Sequence, residues 1–183
     1  MTEVLLLIAV GVFLLWGILI FNGLVKNRNR TSAAWSDIDV QLQRRHDLIP
    51  RLVEAVRAYA GYERATFEAV TELRTRSEQT QRISEIAGLE QQIETGMHRL
   101  IALAEAYPEL KANENFLKLQ HELSEIEDHL QYARRFYNGS VRNLNTRIQS
   151  FPDLLVARPL GFVEAEFFDA ETDAEAPVRV KLS

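Results

Sequence analysis

Four histidines and no cysteines are the soft-ligand inventory of this 183-residue chain, so metal chemistry would need His combined with Asp and Glu. A carboxylate-bridged di-iron site on helices needs Glu-x-x-His, which sets both ligands one turn apart and facing inward. Three residues before His129 stands Ile126, and three before His98 stands Thr95. A zincin needs His-Glu-x-x-His; His121-Glu122 begins one, but Glu125 stands in place of the second histidine. Glu94 with His98, and Glu125 with His129, are four apart and read as ordinary contacts along a helix surface.

Nucleophilic and phosphate chemistry lack their patterns as well. There is no Gly-x-Ser-x-Gly, and glycines stand singly at Gly61, Gly88, Gly96 and Gly139 rather than in a phosphate-cradling loop. Asp37 and Asp39 are two apart, which on a helix turns their side chains about 160° from each other. Tyr59, Tyr107 and Tyr137 fall on apolar stripes and read as core. Asn113, Asn115, Asn138, Asn143 and Asn145 could recognise a peptide, but capping or solvent-facing roles suit most of them. No pattern asks for a cofactor.

The elements that would position these residues begin with Val4–Phe21, an unbroken apolar run of 18 residues. At about 1.5 Å per residue this reaches about 27 Å, close to a hydrocarbon core. Only Glu3 precedes it as a charged side chain, while Lys26, Arg28 and Arg30 follow as a basic collar with no Ala-x-Ala-like cleavage site. This predicts an uncleaved single-pass anchor spanning residues 1–30, with its N-terminus outside and the rest of the chain cytoplasmic. Net charge is -5, and no dense Lys/Arg tract suggests nucleic-acid binding.

Beyond the collar, apolar residues step by three and four. A first seam runs Trp35, Ile38, Leu42, Arg45, Ile49, Leu52, Val56, Tyr59, Glu63, Thr66, Val70, Leu73 and predicts one long helix. The polar stretch 74–82 is the expected turn, with Ser77 or Thr80 as a possible cap. A second seam, Ile86 to Tyr107, stops at Pro108; a third, Phe116 to Ile148, follows an N-cap at Asn113 and stops at Pro152. The expectation is an all-α fold: an antiparallel bundle of three long helices over 31–152, or four if the first breaks at Pro50. The tail 153–183 holds short apolar clusters that can fold back on the bundle, and an acidic end expected to be disordered.

Within the first seam, Asp47 could cap a new helix with Pro50 in its first turn. The seam keeps its phase from Leu42 through Arg45 to Ile49 and Leu52, which favours a kink instead. Arg45 on the seam has two readings: it snorkels to the bundle edge, or it is buried against a carboxylate, with Glu122 and Glu125 as the candidates.

AWSDIDVQLQRRHDLIPRLVEAVRAYAGYE, the long run from AEAYPELKANENF through NLNTRIQSFPDLLVA, and FNGLVKNRN after the apolar run together resemble the LemA family of bacterial membrane proteins. The resemblance covers about residues 21 to 168. It departs at Phe21, and at Gly139-Ser140 after Tyr137-Asn138, where the glycine weakens the last helix slightly. The resemblance implies one membrane helix with an outward N-terminus, a cytoplasmic bundle usually described as four-helical, and no established enzymatic activity. Relatives tied to magnetosome membrane formation, or to a membrane zinc protease of the HtpX type, imply a scaffold or adaptor at the bacterial inner membrane. The expected function is therefore non-catalytic: self-association as a homo-oligomer, or binding of a membrane partner. A membrane-remodelling polymer and a metal-dependent enzyme or sensor are the competing readings.

Overall fold

The computed structural model describes residues 1–61 and 63–168; the acidic end of the tail lies outside them. All regular elements among the described residues are helical: α1 (Thr2–Arg57), α2 (Arg64–Gln79), α3 (Ile83–Ala104), α4 (Pro108–Lys111), α5 (Glu114–Gln149) and α6 (Leu154–Ala157). Among the described residues the chain forms two compact units, Met1–Val40 with Gln131–Glu166, and Gln41–Leu130 with Phe167 and Phe168; α1 and α5 supply residues to both.

In the second unit the three seams become buried stripes. Leu42, Ile49, Leu52 and Val56 of α1, Ile86, Leu89, Ile93, Met97 and Leu100 of α3, and Phe116, Leu119, Leu123 and Leu130 of α5 are all buried. They are leucine, isoleucine, valine, methionine and phenylalanine at steps of three, four or seven residues, which removes one face of each helix from water. α2 packs on α3, and the two meet closely enough at Gly96 that a Cβ there would strike the Val70 side chain. Asn113 caps α5 as expected: its Oδ1 accepts from the backbone N–H groups of Asn115 at 2.9 Å and Phe116 at 3.3 Å.

The first seam continues through Pro50, the reading its unbroken phase favoured, and breaks only later in the chain. α1 runs through Pro50, which stays inside the helix with its ring exposed, so Asp47 is not a cap. The helix ends at Arg57, and a turn through Gly61 leads to Glu63. The fourth long helix is thus α2, cut from the C-terminal part of the predicted first helix. Glu63 and Thr66, expected as polar members of a continuing stripe, and Tyr59, expected as core on it, are instead exposed or half-exposed and mark the point where the stripe ends. The turn expected over 74–82 shrinks to Thr80–Arg82, because α2 continues to Gln79 and buries Ser77. Thr80 ends α2 and bonds backward, its hydroxyl donating to the Arg76 carbonyl at 2.8 Å.

In the first unit α1 and α5 run antiparallel, since Trp35 meets Tyr137 with ring centroids 5.6 Å apart while Gly23 meets Arg147. Gly23 permits that approach: a Cβ would lie 2.8 Å from the Arg147 Nη2. Beyond α5 the chain turns back through α6, and Gly161 at φ 72° supplies the left-handed residue that reverses it, with the Phe162 N–H donating to the Ala157 carbonyl at 3.0 Å.

Candidate functional site: a buried ionic network and the base of the anchor helix

Arg45 comes from the α1 seam and is fully buried, as is Glu90 of α3. The Arg45 Nη1 donates to Glu90 Oε2 at 3.0 Å, and Nη2 donates to both carboxylate oxygens of Glu127 on α5 at 2.5 Å. Glu90 Oε1 faces two further groups, His46 Nε2 at 2.7 Å and the Ser77 hydroxyl, which donates at 2.5 Å. On its other side His46 Nδ1 stands 3.7 Å from Glu78. One carboxylate therefore ties α1, α2 and α3 together, and the arginine carries the link to α5.

Ser, His and Glu within hydrogen-bonding distance invite comparison with a catalytic triad, but the order is wrong. A triad needs the imidazole between hydroxyl and carboxylate, so that it can take the hydroxyl proton. Here the carboxylate lies in the middle and the Ser77 hydroxyl spends its proton on it. Ser77, His46, Arg45 and Glu90 are all buried. Burial pushes the Glu90 carboxyl up, yet hydrogen bonds from His46 and Ser77 and the charges of His46 and Arg45 outweigh it and hold it below the ordinary 4.5. It is an ionised strut. Among the described residues no three His, Asp or Glu side chains converge as a metal site needs.

Arg45 takes the buried reading, though with partners other than those expected. Glu122 and Glu125 lie with Asp47 and His129 around a shallow cleft of about 370 Å3 lined also by Arg44 and Arg51. Their ion pairs run along α5 itself, Lys118 to Glu122 at 3.9 Å and His121 to Glu125 at 3.4 Å. Pro50 opens on a different concavity, beside Val53 and Arg74. Asn138 is half-buried in the first unit, away from all of these. Sequence reading missed Glu90, Glu127, His46 and Ser77. A signal existed for the two glutamates: Glu90 is four residues after Ile86 and three before Ile93, and Glu127 has the same spacing between Leu123 and Leu130.

The first unit closes on the anchor. α1 has a stretch of mean hydropathy 3.0 of which only 6% is buried, long and apolar enough to cross a membrane. Ile20 and Leu24, toward its C-terminal end, are buried with Leu144, Ile148, Ala157 and Phe162, and Trp16 and Val25 pack against the same cluster. Of the basic collar, Arg28 lies over the Phe162 ring at 5.3 Å and Arg30 over Phe136 at 5.1 Å, while Lys26 is exposed. Asn145 holds the returning chain by two bonds to Ala165, donating to its carbonyl and accepting from its N–H, both at 2.9 Å. Tyr137 donates to the Glu166 carbonyl at 2.8 Å; burial first, and the Glu166 charge second, push its hydroxyl up to about 12, so it stays a donor.

An all-α bundle preceded by one N-terminal helix long and apolar enough to cross a membrane, with Arg45, His46 and Glu90 tied into an internal network, defines a helical-bundle protein with one candidate membrane span. The chain belongs to the LemA family, whose model matches residues 34–182. It is similar to magnetosome protein MamQ 2 of Paramagnetospirillum magneticum, 24% identical over 184 residues covering 86% of this chain and 68% of that protein. It is also similar to protein LemA of Metamycoplasma hominis, 26% identical over 151 residues covering 81% of this chain and 68% of the relative. Magnetosome protein MamQ of Magnetospirillum gryphiswaldense is 22% identical over 184 residues, with the same 86% and 68% coverage.

Proposed function

We propose that this protein is a non-catalytic scaffold or adaptor, anchored by α1 in the bacterial inner membrane, whose bundle binds further copies of itself or a membrane protein. The observation that carries this is the burial of Ile20 and Leu24, at the end of the apolar run, inside the core of the first unit. An anchor joined by a loose linker only localises a domain, whereas an anchor that shares the core of a folded unit holds that unit in one orientation to the bilayer. Such a device suits the presentation of helix faces to partners in the same membrane. Removal of residues 1–30 as a signal peptide would strip Ile20 and Leu24 from this core, which supports an uncleaved anchor. Lys26, Arg28 and Arg30 support a cytoplasmic location for all that follows them.

The inward use of Arg45, His46, Ser77 and Glu90 supports a structural rather than a catalytic purpose for the chemistry-bearing residues. A membrane protease of the type that the family resemblance suggests is one candidate partner. Crosslinking in native membranes followed by mass spectrometry tests the reading: reproducible crosslinks from exposed positions to a second copy, or to one membrane protein, are expected. A strictly monomeric protein with no captured partner would count decisively against it. The magnetosome names of two relatives favour a second reading, a membrane-shaping polymer, which requires filaments or curved liposomes under the electron microscope.

A further inference from the structure

The first unit leaves an apolar surface bare at one particular height. Phe151 is 76% exposed, Leu155 54%, Leu160 57% and Val163 80%, all in the turn-back between α5 and Ala165. Soluble surfaces scatter such residues singly, and four within 13 positions of one reversal need an explanation. Their height on the anchor helix provides it. Phe162, flanked by Gly161 and Val163, packs edge-on to Phe21 with centroids 5.9 Å apart, and Phe21 is the last residue of the apolar run. The Arg147 side chain lies against Gly23 and α5 is antiparallel to α1, so the chain leaving α5, with Phe151 two residues past Gln149, heads toward the apolar part of α1. A hydrocarbon core of about 30 Å needs about 20 residues. Counted from Val4, its inner edge falls near Gly23, level with this turn.

We infer that the 151–163 reversal is a second membrane contact, resting its bare apolar side chains in the headgroup and upper acyl region around the base of α1. The inference rests on the reading of α1 as a membrane anchor. Charge agrees with the placement. Arg28 lies over the Phe162 ring, Arg158 stands within the turn, and Asp153, the acidic residue of the turn, is paired to Arg147. Basic side chains at that height meet lipid phosphates while their stems and the aromatic rings remain in the apolar layer. Gly161 makes the arrangement possible: its left-handed backbone lets Phe162 turn inward to the core while its neighbours Leu160 and Val163 face out. The occupant is the bilayer in which α1 itself is embedded, because the exposed turn continues the lipid-facing surface of α1 without a gap in height.

The absence of native cysteine allows a direct test on the full chain in lipid nanodiscs containing anionic phospholipid. Single spin labels are placed by Phe151→Cys, Leu160→Cys and Val163→Cys. Leu7→Cys serves as the reference within the span. Ser36→Cys, an exposed position about 22 Å along α1 from Phe21, serves as the reference in water. The turn labels are expected to show a ratio of oxygen to nickel-chelate accessibility several-fold above that of Ser36→Cys and approaching that of Leu7→Cys. Water-like turn labels beside a lipid-like Leu7→Cys overturn the inference and leave the anchor intact. Turn labels shielded from both reagents with mutual spin broadening overturn it too, because a second copy then covers the turn. A water-like Leu7→Cys removes the anchor reading and this inference with it.

Discussion

Arg45 and Glu90 stand 45 residues apart in the chain and 3.0 Å apart in the second unit, each with no exposed side-chain surface. Their pairing converts an arginine on an apolar seam from an interruption into the tie between helices. The tie is not fully compensated, since the Arg45 Nε is buried without a hydrogen-bond partner.

Removing one member strands the other. Arg45→Leu or Glu90→Leu is expected to destabilise the bundle by about 3–5 kcal/mol, the range for an orphaned buried charge. The double substitution should recover a large part of that loss, because both charges go together. Glu122→Gln, half-exposed, and Glu125→Gln, exposed, should stay within about 0.5 kcal/mol of the parent. Denaturant midpoints in detergent measure all of these, and an Arg45→Leu protein as stable as the parent would refute the strut.

The acid limb of stability should carry the signature of Glu90. Its carboxyl is held below 4.5 in the folded chain, so the unfolded chain takes up the proton first as pH falls. The stabilisation it gives is complete above 4.5 and is lost as pH descends through the folded value. Glu90→Gln is expected to flatten the fall in denaturant midpoint between neutral pH and this region. Parallel curves for the two proteins would show that Glu90 contributes no such linkage.

Pro50 sits in the interior of α1, where a proline donates no hydrogen bond to the carbonyl four residues back, that of His46, and its ring crowds it. It is exposed, so alanine fits without repacking. Pro50→Ala should raise stability by about 1–3 kcal/mol, bounded by the difference in helix propensity. A lower melting temperature would mean that the local distortion serves the packing.

The return of the chain onto the first unit depends on the side chain of Asn145. Asn145→Leu removes both bonds to Ala165 and leaves part-buried backbone groups unpaired, at a cost of about 1–3 kcal/mol. Limited proteolysis should then cut between Gly161 and Phe168 several-fold faster, while α2 and α3 remain resistant. Unchanged cleavage would show that Phe162 and Tyr137 hold the segment without it.

The sequence by itself determined the helical class, the single apolar span, the second and third seams and the Asn113 cap, because each is a local pattern. Periodicity, an unbroken apolar run and a capping side chain are written within a few residues of where they act. Local pattern misled at residues 57–82, where polar members of a seam could mean either a tolerated interruption or its end. Glu90 and Glu127 had the right spacing to face inward, but a glutamate beside an apolar stripe is far more often solvated than buried. Only the tertiary structure decided between those states. A buried charge is tolerable solely when a partner from another helix reaches it, and that partner is chosen by the packing of helices distant in sequence. The same holds at the anchor: hydropathy marked Ile20 and Leu24 as membrane residues, and only the antiparallel approach of α5 made them core.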